Sequence, residues 1–326
     1  MKKFLFCFLF LLFPLKTRAE IHQAVTYELS PGRFGDNLLS YIHAKWISYK
    51  YHLPLLYKPF IYSNCLVLHD YEFKYAENKN KFNTTTILGH NVFINSNDTF
   101  SNLYVVPYFP ASKYELKNGI SFAGTSWYYF EVDWHDKSFI EELRTVIAPS
   151  NPIALIDLPT DCVTVAVHVR RGGNHDTPET IPDFPLKFLS DEFYITQIKE
   201  LYFLLNETPL YVYLFTDDNN PTQIMNKFQN NLSGLHIQFD CRKRQNSDTT
   251  NVIEDFFTLQ QFDCLIHSES NFSFLMSKIG KFLVSIYPDS FDKKKGQIIY
   301  DNVNVTINEE HQKSNLITHF VKKSNQ

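Results

Sequence analysis

The chain has 326 residues and a mass of 38.3 kDa, which is enough for two domains of ordinary size. Its formal net charge of −4 and its pI near 6.3 give no overall basic field, which argues against a nucleic-acid partner. Aromatic residues make up 16% of the chain and could stack on sugar rings, although core packing and biased composition are simpler explanations.

Residues 1–19 have the layout of a secretory signal peptide. Two lysines precede an apolar run from Phe4 to Leu15, and the small residues Thr17 and Ala19 follow it. The run is shorter than the roughly 20 residues that a membrane-spanning helix needs. We therefore expect a secretory, exported protein, whose membrane association is limited to an anchor formed by this segment if it is not cleaved.

Four cysteines follow the predicted signal peptide, namely Cys65, Cys162, Cys241 and Cys264. In an exported protein they could form two disulfide bonds, and buried free thiols are the alternative. No CxxC pair or histidine cluster accompanies them, so we expect no metal site.

A strand, a loop with two glycines and a helix are predicted near the start of the exported chain. The strand covers residues 25–29, the loop SPGRFGDN covers 30–37, and apolar residues recur at helical spacing from Leu38 to Lys50. Such a loop directs the free N–H groups of the helix N-terminus towards a cleft, which favours anionic groups of a ligand. The alternative is an ordinary capping loop with Asp36 as the helix N-cap.

The region from Pro54 to Ala148 carries no motif with catalytic chemistry. Its aromatic residues 127–130 could line an acceptor groove or pack in a core. A helix is predicted from Phe139 to Val146, and residues 149–152, with the sequence PSNP, are the best candidate for a linker.

The strand Val163–Val169 ends in two arginines and two glycines. Its alternation places His168 and Arg170 on one face. Ligands of open α/β sheets bind where the strands end, and arginine offers a planar fork of donors that matches phosphate oxygens. Two arginines after an apolar strand therefore favour an anionic ligand over surface salt bridges.

Strands and helices alternate in the second half of the chain. Strands are predicted near residues 163, 211, 235 and 263, which is the pattern of a parallel, doubly wound sheet. The predicted helices cover residues 191–205, 221–230, 252–262 and 274–285.

Polar residues stand near the ends of these strands. Residues 216–218, Thr-Asp-Asp, follow the strand near 211, and Ser270 and Ser273 lie where hydroxyl and helix N–H groups can reach phosphate oxygens. An ordinary N-cap role is the alternative for Ser273. The basic run 241–244 is expected to be a solvated face.

Four segments resemble the superfamily of α1,2-, α1,6- and protein O-fucosyltransferases that use GDP-fucose. HVRRGG at His168 is similar to the HxRRxD signature, GRFGDN at Gly32 to the N-terminal GRFGNQ or GxLGNQ, and FTDD at Phe215 to FSDD. DFFTLQQFDCLIHSESNFSF, residues 255–274, resembles the third motif. The chain departs from the family at Gly173, where Asp is usual, and in the residue pair Asp-Asn that closes GRFGDN.

This resemblance implies a GT-B-like α/β fold of two Rossmann-like domains with a cleft between them. Residues 20–150 would form the acceptor-side domain and residues 151–326 the GDP-sugar-binding domain. It also implies inverting, metal-independent transfer of fucose from GDP-fucose to a glycan or protein acceptor, without a cofactor. The sequence agrees in having no DxD motif.

The same resemblance implies roles for individual residues. Asp255 would hydrogen-bond guanine, because one carboxylate can accept from both N1–H and N2–H. Arg33, Asp36 and Arg171 are the expected catalytic residues, since arginines stabilise the charge that develops on the leaving diphosphate. The expected donor-binding residues are Asn37, His168, Arg170, Arg171, Asp217, Asp255, Ser270, Asn271 and Ser273.

Three points stay open from the sequence. The base that accepts the acceptor proton could be Asp36 or Asp176, or the reaction could proceed without one. A protein that binds a GDP-sugar or another carbohydrate without turnover is the alternative function, favoured by Gly173 and by the signal peptide. A transferase that uses another GDP-sugar is a third reading.

Overall fold

The computed structural model describes residues 22–88, 94, 100–108, 131–172, 176, 181–243, 245–294 and 297–308. The predicted signal peptide at 1–19, the aromatic residues 127–130 and Gly173 lie outside these ranges, so the predictions about them stay predictions. Within the described ranges, no helix combines the length and the apolar content that a bilayer crossing requires.

The first half of the described chain forms small parallel sheets beside a long helix. The strands β1 (Gln23–Tyr27), β5 (Asn102–Val106) and β4 (Thr84–Ile87) pair in parallel in that order, and β2 (Leu56–Tyr57) pairs in parallel with β3 (Phe73–Lys74). The helix α1 (Phe34–Tyr51) begins four residues before its predicted start at Leu38, so Gly35 and Asp36 belong to its first turn rather than to the loop. The elements are β1 (Gln23–Tyr27), α1 (Phe34–Tyr51), β2 (Leu56–Tyr57), α2 (Leu68–Tyr71), β3 (Phe73–Lys74), α3 (Tyr75–Asn78), β4 (Thr84–Ile87), β5 (Asn102–Val106) and α4 (Lys137–Val146).

The second half alternates strands and helices around one larger sheet. Its elements are β6 (Val163–Val169), α5 (Asp191–Leu204), β7 (Leu210–Thr216), α6 (Pro221–Asn231), β8 (Ile237–Cys241), α7 (Val252–Thr258), β9 (Cys264–His267), α8 (Asn271–Ile279), β10 (Val284–Lys294) and β11 (Gln297–Ile307).

The strand order of this sheet is β8-β7-β6-β9-β10-β11. All neighbours are parallel except β10 and β11, which form an antiparallel pair. A dinucleotide-binding sheet has the same strand order. Its first strand lies in the middle, the next two strands are added on one side, and the order then reverses so that the later strands are added on the other side. The predicted parallel, doubly wound sheet is confirmed for this half, and the reversal falls between β6 and β9.

The single helix predicted over residues 274–285 is wrong at both ends. α8 begins at Asn271 because Ser270 occupies the N-cap position, and it ends at Ile279 before Gly280. Val284 then pairs in parallel with Cys264 of β9 and opens a buried strand. Pairing along the sheet therefore overrides the helical spacing of these apolar residues.

The two faces of the larger sheet have different neighbours. The four valines of β6 pack in one apolar cluster with residues of α5 and α6. Ala166, on the opposite face, belongs to a second cluster that contains residues of α1, α7 and α8. Within it, the rings of Phe34 and Phe256 meet edge to face at 5.3 Å. This cluster holds the start of α1 against the face of β6 that carries His168 and Arg170.

The four cysteines that follow the predicted signal peptide are all free thiols. Cys241 and Cys264 are buried, whereas Cys65 and Cys162 are partly exposed. The alternative of two disulfide bonds is therefore wrong for these cysteines.

Candidate functional site

A cavity of about 330 Å³ lies at the carboxyl ends of β6, β7 and β9. The first turn of α1, the loop of residues 247–250 and the first turns of α7 and α8 also line it. Eight of the eleven side chains predicted for the site are among its lining residues. They are Arg33, Asp36, His168, Arg170, Asp217, Asp255, Ser270 and Asn271.

The N-terminal turns of α1 and α8 meet at this cavity. A Cβ atom on Gly35 would lie 2.7 Å from the backbone nitrogen of Phe272, so only glycine permits this approach. Asn271 donates a hydrogen bond from Nδ2 to Oδ1 of Asp36 at 2.5 Å, which joins the two turns. Because the first N–H groups of a helix have no partners within it, two helix N-termini contribute positive potential to the cavity. They favour an anionic ligand.

Asp36 is the third residue of α1. The alternative in which Asp36 is the helix N-cap is therefore wrong. Arg33 has the N-cap position, and its backbone N–H donates to Oδ2 of Asp36 at 3.0 Å. The carboxylate therefore satisfies an N–H group at the start of the helix from within the first turn. Since Asn271 donates to the other oxygen, both oxygens of Asp36 accept hydrogen bonds while the side chain lines the cavity.

Asp217, at the end of β7, holds the backbone that follows β6. Its Oδ1 accepts a hydrogen bond from the backbone N–H of Arg171 at 2.6 Å, and its Oδ2 accepts one from Gly172 at 3.2 Å. Gly172 has a φ of 98°, which residues with side chains rarely adopt. Asp217 thereby fixes the turn that carries the two arginines.

Two guanidinium groups share the Asp217 carboxylate. Arg170 is buried and forms ion pairs with Asp217 and Asp176. Arg33 lies 3.4 Å from Oδ2 of Asp217 through Nη2, and 3.7 Å from Oδ2 of Asp248 through Nη1. Arg170 thus has the carboxylate partners that a buried cation requires, and the partly exposed Arg33 has two carboxylates beside it. A bound phosphate would compete with these carboxylates or use the remaining N–H groups of the arginines.

Arg171 is not among the residues that line the cavity. Its Nη1 donates to the carbonyl oxygen of Leu189 at 2.9 Å, and its guanidinium pairs with Asp191 at the start of α5. Consecutive side chains of an extended segment point to opposite sides, so Arg170 and Arg171 do not share the cavity. The structure places Arg170 there, and the predicted donor contact and catalytic role of Arg171 have no support from its position.

Asn37 and Ser273 also lie outside the cavity. The Asn37 amide accepts from the backbone N–H of Ser30 at 3.0 Å and donates to the carbonyl oxygen of Gly32 at 3.0 Å. Ser273 is fully buried, and its hydroxyl donates to the carbonyl oxygen of Ser268 at 3.1 Å. Both side chains hold the backbone of the turns that line the cavity, and the donor contacts predicted for them stay predictions.

His168 forms part of the cavity wall. Its ring stacks on the ring of Phe272 at a centroid distance of 5.3 Å. Burial, with smaller contributions from His267 and Arg33, lowers the pKa of His168 to about 3. The imidazole is therefore neutral near pH 7, and its buried Nδ1 has no hydrogen-bond partner among the described residues. It can hydrogen-bond a ligand without adding charge.

Asp255 reaches the cavity from the first turn of α7. Burial raises its pKa to about 6, although the neighbouring Arg242 acts in the opposite direction. Arg242 donates from Nη2 to Oδ1 of Asp255 at 2.5 Å and lies 3.4 Å from Glu254. The interpretation of the basic run as a solvated face is therefore wrong for Arg242.

The loop of residues 245–251 was missed as part of the site. Asp248 pairs with Arg33, and the carbonyl oxygen of Thr249 accepts a hydrogen bond from the Tyr62 hydroxyl at 2.6 Å. A signal was present in the sequence, because this Ser-, Thr-, Asn- and Asp-rich loop follows β8, whose carboxyl end lies at the same edge of the sheet as those of β6 and β7. Within the described ranges, no three His, Cys, Asp or Glu side chains are arranged to hold a metal ion.

Comparisons with known proteins find no matching family model and no matching curated protein. Solved structures do match. The apo form of POFUT1 has a TM-score of 0.44 and 10% identity, and the match covers 80% of this chain and 95% of that one. A mutant of Arabidopsis thaliana FUT1 in complex with GDP has a TM-score of 0.49 and 12% identity, over 85% of this chain and 73% of that one.

NodZ α1,6-fucosyltransferase soaked with GDP-fucose has a TM-score of 0.43 and 12% identity, over 88% of this chain and 99% of that one. The last of these structures is named as a fucosyltransferase, and the chain is similar to all three in fold only. At identities of 10–12% and TM-scores of 0.43–0.49, this likeness carries no information on activity or substrate.

Proposed function

We propose that this protein binds a GDP-sugar in the cavity and transfers the sugar, fucose from GDP-fucose, to a glycan or protein acceptor. The observation that carries the proposal is the convergence of residues from four motifs in one cavity. Arg33 and Asp36 come from GRFGDN, His168 and Arg170 from HVRRGG, Asp217 from FTDD, and Asp255 and Asn271 from the last segment. The cavity lies within the usual size range of small-molecule sites.

The diphosphate of the donor would bind where positive charge is concentrated. Arg170 and Arg33 offer guanidinium groups, and Ser270 marks the N-terminus of α8, whose free N–H groups suit phosphate oxygens. Asp255 offers a carboxylate for N1–H and N2–H of guanine. His168 would lie beside the nucleotide as a neutral hydrogen-bonding group.

The transfer step is an inverting displacement at C1 of the sugar. The acceptor oxygen forms a bond to C1 as the bond from C1 to the β-phosphate oxygen breaks, and GDP leaves with the electron pair. Arg170 and Arg33 stabilise the negative charge that develops on the leaving phosphate, so arginine takes the place that a divalent cation has in other transferases. No metal ion or cofactor is part of this scheme.

Asp36 is the better candidate for the base that accepts the acceptor proton. It lines the cavity, whereas Asp176 does not. Both oxygens of Asp176 are engaged, since one pairs with Arg170 and the other accepts from Nζ of Lys187 at 2.8 Å. Asp176 is thus held by two cations away from the cavity, whereas the donors to Asp36 are neutral and hold it at the cavity wall.

The proposal includes a GT-B arrangement, with residues 20–150 as the acceptor-side domain and residues 151–326 as the GDP-sugar-binding domain. It also includes export directed by residues 1–19. The GT-B arrangement is what the resemblance to the fucosyltransferase superfamily implies, and export is supported by the lysines and the apolar run of residues 1–19. Limited proteolysis with and without GDP would test the domain boundary, since a linker near residues 149–152 should be cut first.

A protein that binds a GDP-sugar without turnover is the second candidate function. It is favoured by the ion pairs of Arg170 with Asp176 and Asp217, which leave fewer donors of this arginine for a phosphate. A transferase that uses another GDP-sugar would have the same nucleotide site, because guanine and diphosphate are common to all such donors.

Incubation of the purified protein with GDP-fucose, and release of GDP with and without a panel of glycan and peptide acceptors, tests the proposal. Acceptor-dependent release of GDP supports a transferase, and parallel reactions with GDP-mannose identify the sugar. Binding of GDP without release from any donor would support the non-catalytic candidate. No binding of GDP would overturn both.

A further inference from the structure

Arg242 lies beside the cavity without lining it. Its two terminal nitrogens contact two neighbouring acids of α7, with Nη2 at 2.5 Å from Oδ1 of Asp255 and Nη1 at 3.4 Å from Oε2 of Glu254. Its Nε–H is buried and has no hydrogen-bond partner in the described part of the chain. A buried unpaired donor costs free energy, so the ion pairs must hold the guanidinium in this position.

The described surroundings of Asp255 hold one close cation. Burial disfavours its charged form, and Glu254 adds a like charge from the same helix. From β7, Tyr213 faces the pair and is neutral because burial raises its pKa, and Asp240 of β8 lies beside Tyr213. Lys243 lies 3.3 Å from Asp240 and is mostly exposed. Arg242 is thus the group that counteracts burial, and it lowers the pKa of Asp255.

We propose that Arg242 is a positioning residue for base recognition, which orients the Asp255 carboxylate and keeps it ionised so that the site prefers guanine to adenine nucleotides. This inference rests on the proposed function. Arg242 occupies one acceptor site on Oδ1 and leaves the other acceptor sites of the carboxylate for N1–H and N2–H of guanine. A protonated Asp255 would present its O–H donor to an N–H donor of guanine, and this match would be lost.

The ratio of the ADP dissociation constant to the GDP dissociation constant, measured by calorimetry from pH 5 to pH 8, isolates this effect. Both ligands carry the same diphosphate, so its titration and that of the phosphate-binding residues cancel in the ratio. In the wild-type protein we expect the ratio to be constant above the Asp255 pKa of about 6 and to fall by about tenfold per pH unit below it.

Four variants complete the test. In Arg242→Gln the fall should begin at least about one pH unit higher, because an opposite charge is lost. Arg242→Lys keeps the charge, so its ratio of dissociation constants should begin to fall near the same pH as in the wild-type protein. Asp255→Asn should give a low, constant ratio. Lys243→Gln, a neighbouring change of the same charge, should behave as the wild type.

The outcomes separate the inference from the proposed function. If the wild-type protein shows no preference for GDP at any pH, the proposed function and this inference both fail. If the wild-type ratio depends on pH but the ratio for Arg242→Gln falls at the same pH as in the wild type, Arg242 has no role in base recognition and the proposed function stands. The melting temperature of each variant identifies a folding defect, and if Arg242→Gln shows one, Arg242→Met, which also removes the charge, is measured in its place and should show the same shift to higher pH.

Discussion

Oδ1 of Asp36 accepts a hydrogen bond from Nδ2 of Asn271 at 2.5 Å, across 235 positions of the sequence. This contact joins the first turn of the helix that follows β1 to the first turn of the helix that follows β9. Both turns line the cavity, so the carboxylate is held at the cavity wall.

Asp36→Asn should keep GDP affinity and lose turnover. The oxygen of the new asparagine can still accept a hydrogen bond from the backbone N–H of Arg33. If the Asn271 side-chain amide rotates by about 180°, its oxygen can accept a hydrogen bond from the NH₂ group of the new asparagine, so the junction persists. The proton acceptor is lost, which should lower kcat by about 10²–10⁴-fold. GDP calorimetry and single-turnover kinetics measure the two effects.

The control for this change is Asp191→Asn, which weakens an ion pair with Arg171 outside the cavity. It should leave kcat nearly unchanged. A fully active Asp36→Asn protein would exclude Asp36 as the base and favour chemistry without one.

Gly35→Ala should separate the two helix turns. The added Cβ would lie 2.7 Å from the nitrogen and 2.9 Å from the Cα atom of Phe272, and backbone atoms cannot move aside as a flexible side chain would. Overpacking of this kind costs about 1–3 kcal/mol of unfolding free energy, and we also expect weaker GDP binding. Urea unfolding and calorimetry measure these quantities.

The matched control is Gly234→Ala, at a glycine with a φ of 94° and no atom within 4 Å of its added Cβ. This change should also lower the unfolding free energy, through backbone strain, but leave GDP binding unchanged. Equal GDP affinity in both variants would show that the contact of Gly35 with Phe272 has no bearing on the site.

Arg170→Lys and Arg171→Lys should differ in their effects. An ammonium group cannot reproduce the planar fork of a guanidinium, so the change at the cavity residue Arg170 should weaken GDP binding and lower kcat by at least about tenfold. Arg171 holds Leu189 and Asp191 outside the cavity, so its change should mainly lower stability. A larger catalytic loss in Arg171→Lys would restore the sequence-based assignment.

Part of this site could be predicted from the sequence because strand ends meet at one edge of a parallel sheet. His168, Arg170 and Asp217 follow from that rule. The position of Arg171 outside the cavity could also be predicted, since the alternation that puts His168 and Arg170 on one face puts Arg171 on the other.

Other features could not be predicted from local patterns. Whether Asn37 faces the cavity or its own loop depends on the path of the turn before α1, which the residue types do not determine. The ion pair of Arg242 with Asp255 joins the end of β8 to α7, and such a pairing depends on how separate elements pack. The long strands β10 and β11 were missed because sheet pairing decides their conformation.

The free energy of unfolding should depend on pH through Asp255. Its pKa rises from an ordinary value of 3.8 to about 6 in the folded protein because burial disfavours the charged form. Between these pH values the folded state binds more protons than the unfolded state. The stabilising contribution of the protonated Asp255 carboxyl is therefore complete below about pH 4 and is lost as pH rises through about 6. Two pKa units correspond to about 3 kcal/mol. Relative to Asp255→Asn, the wild-type protein should therefore lose on the order of 1–3 kcal/mol of unfolding free energy between pH 4 and pH 7. Urea unfolding of both proteins measures this difference in unfolding free energy. The contributions of His168 and His267, which have the opposite sign, are common to both proteins and cancel in the difference. A difference that does not change with pH would show that the Asp255 carboxyl is not perturbed by burial.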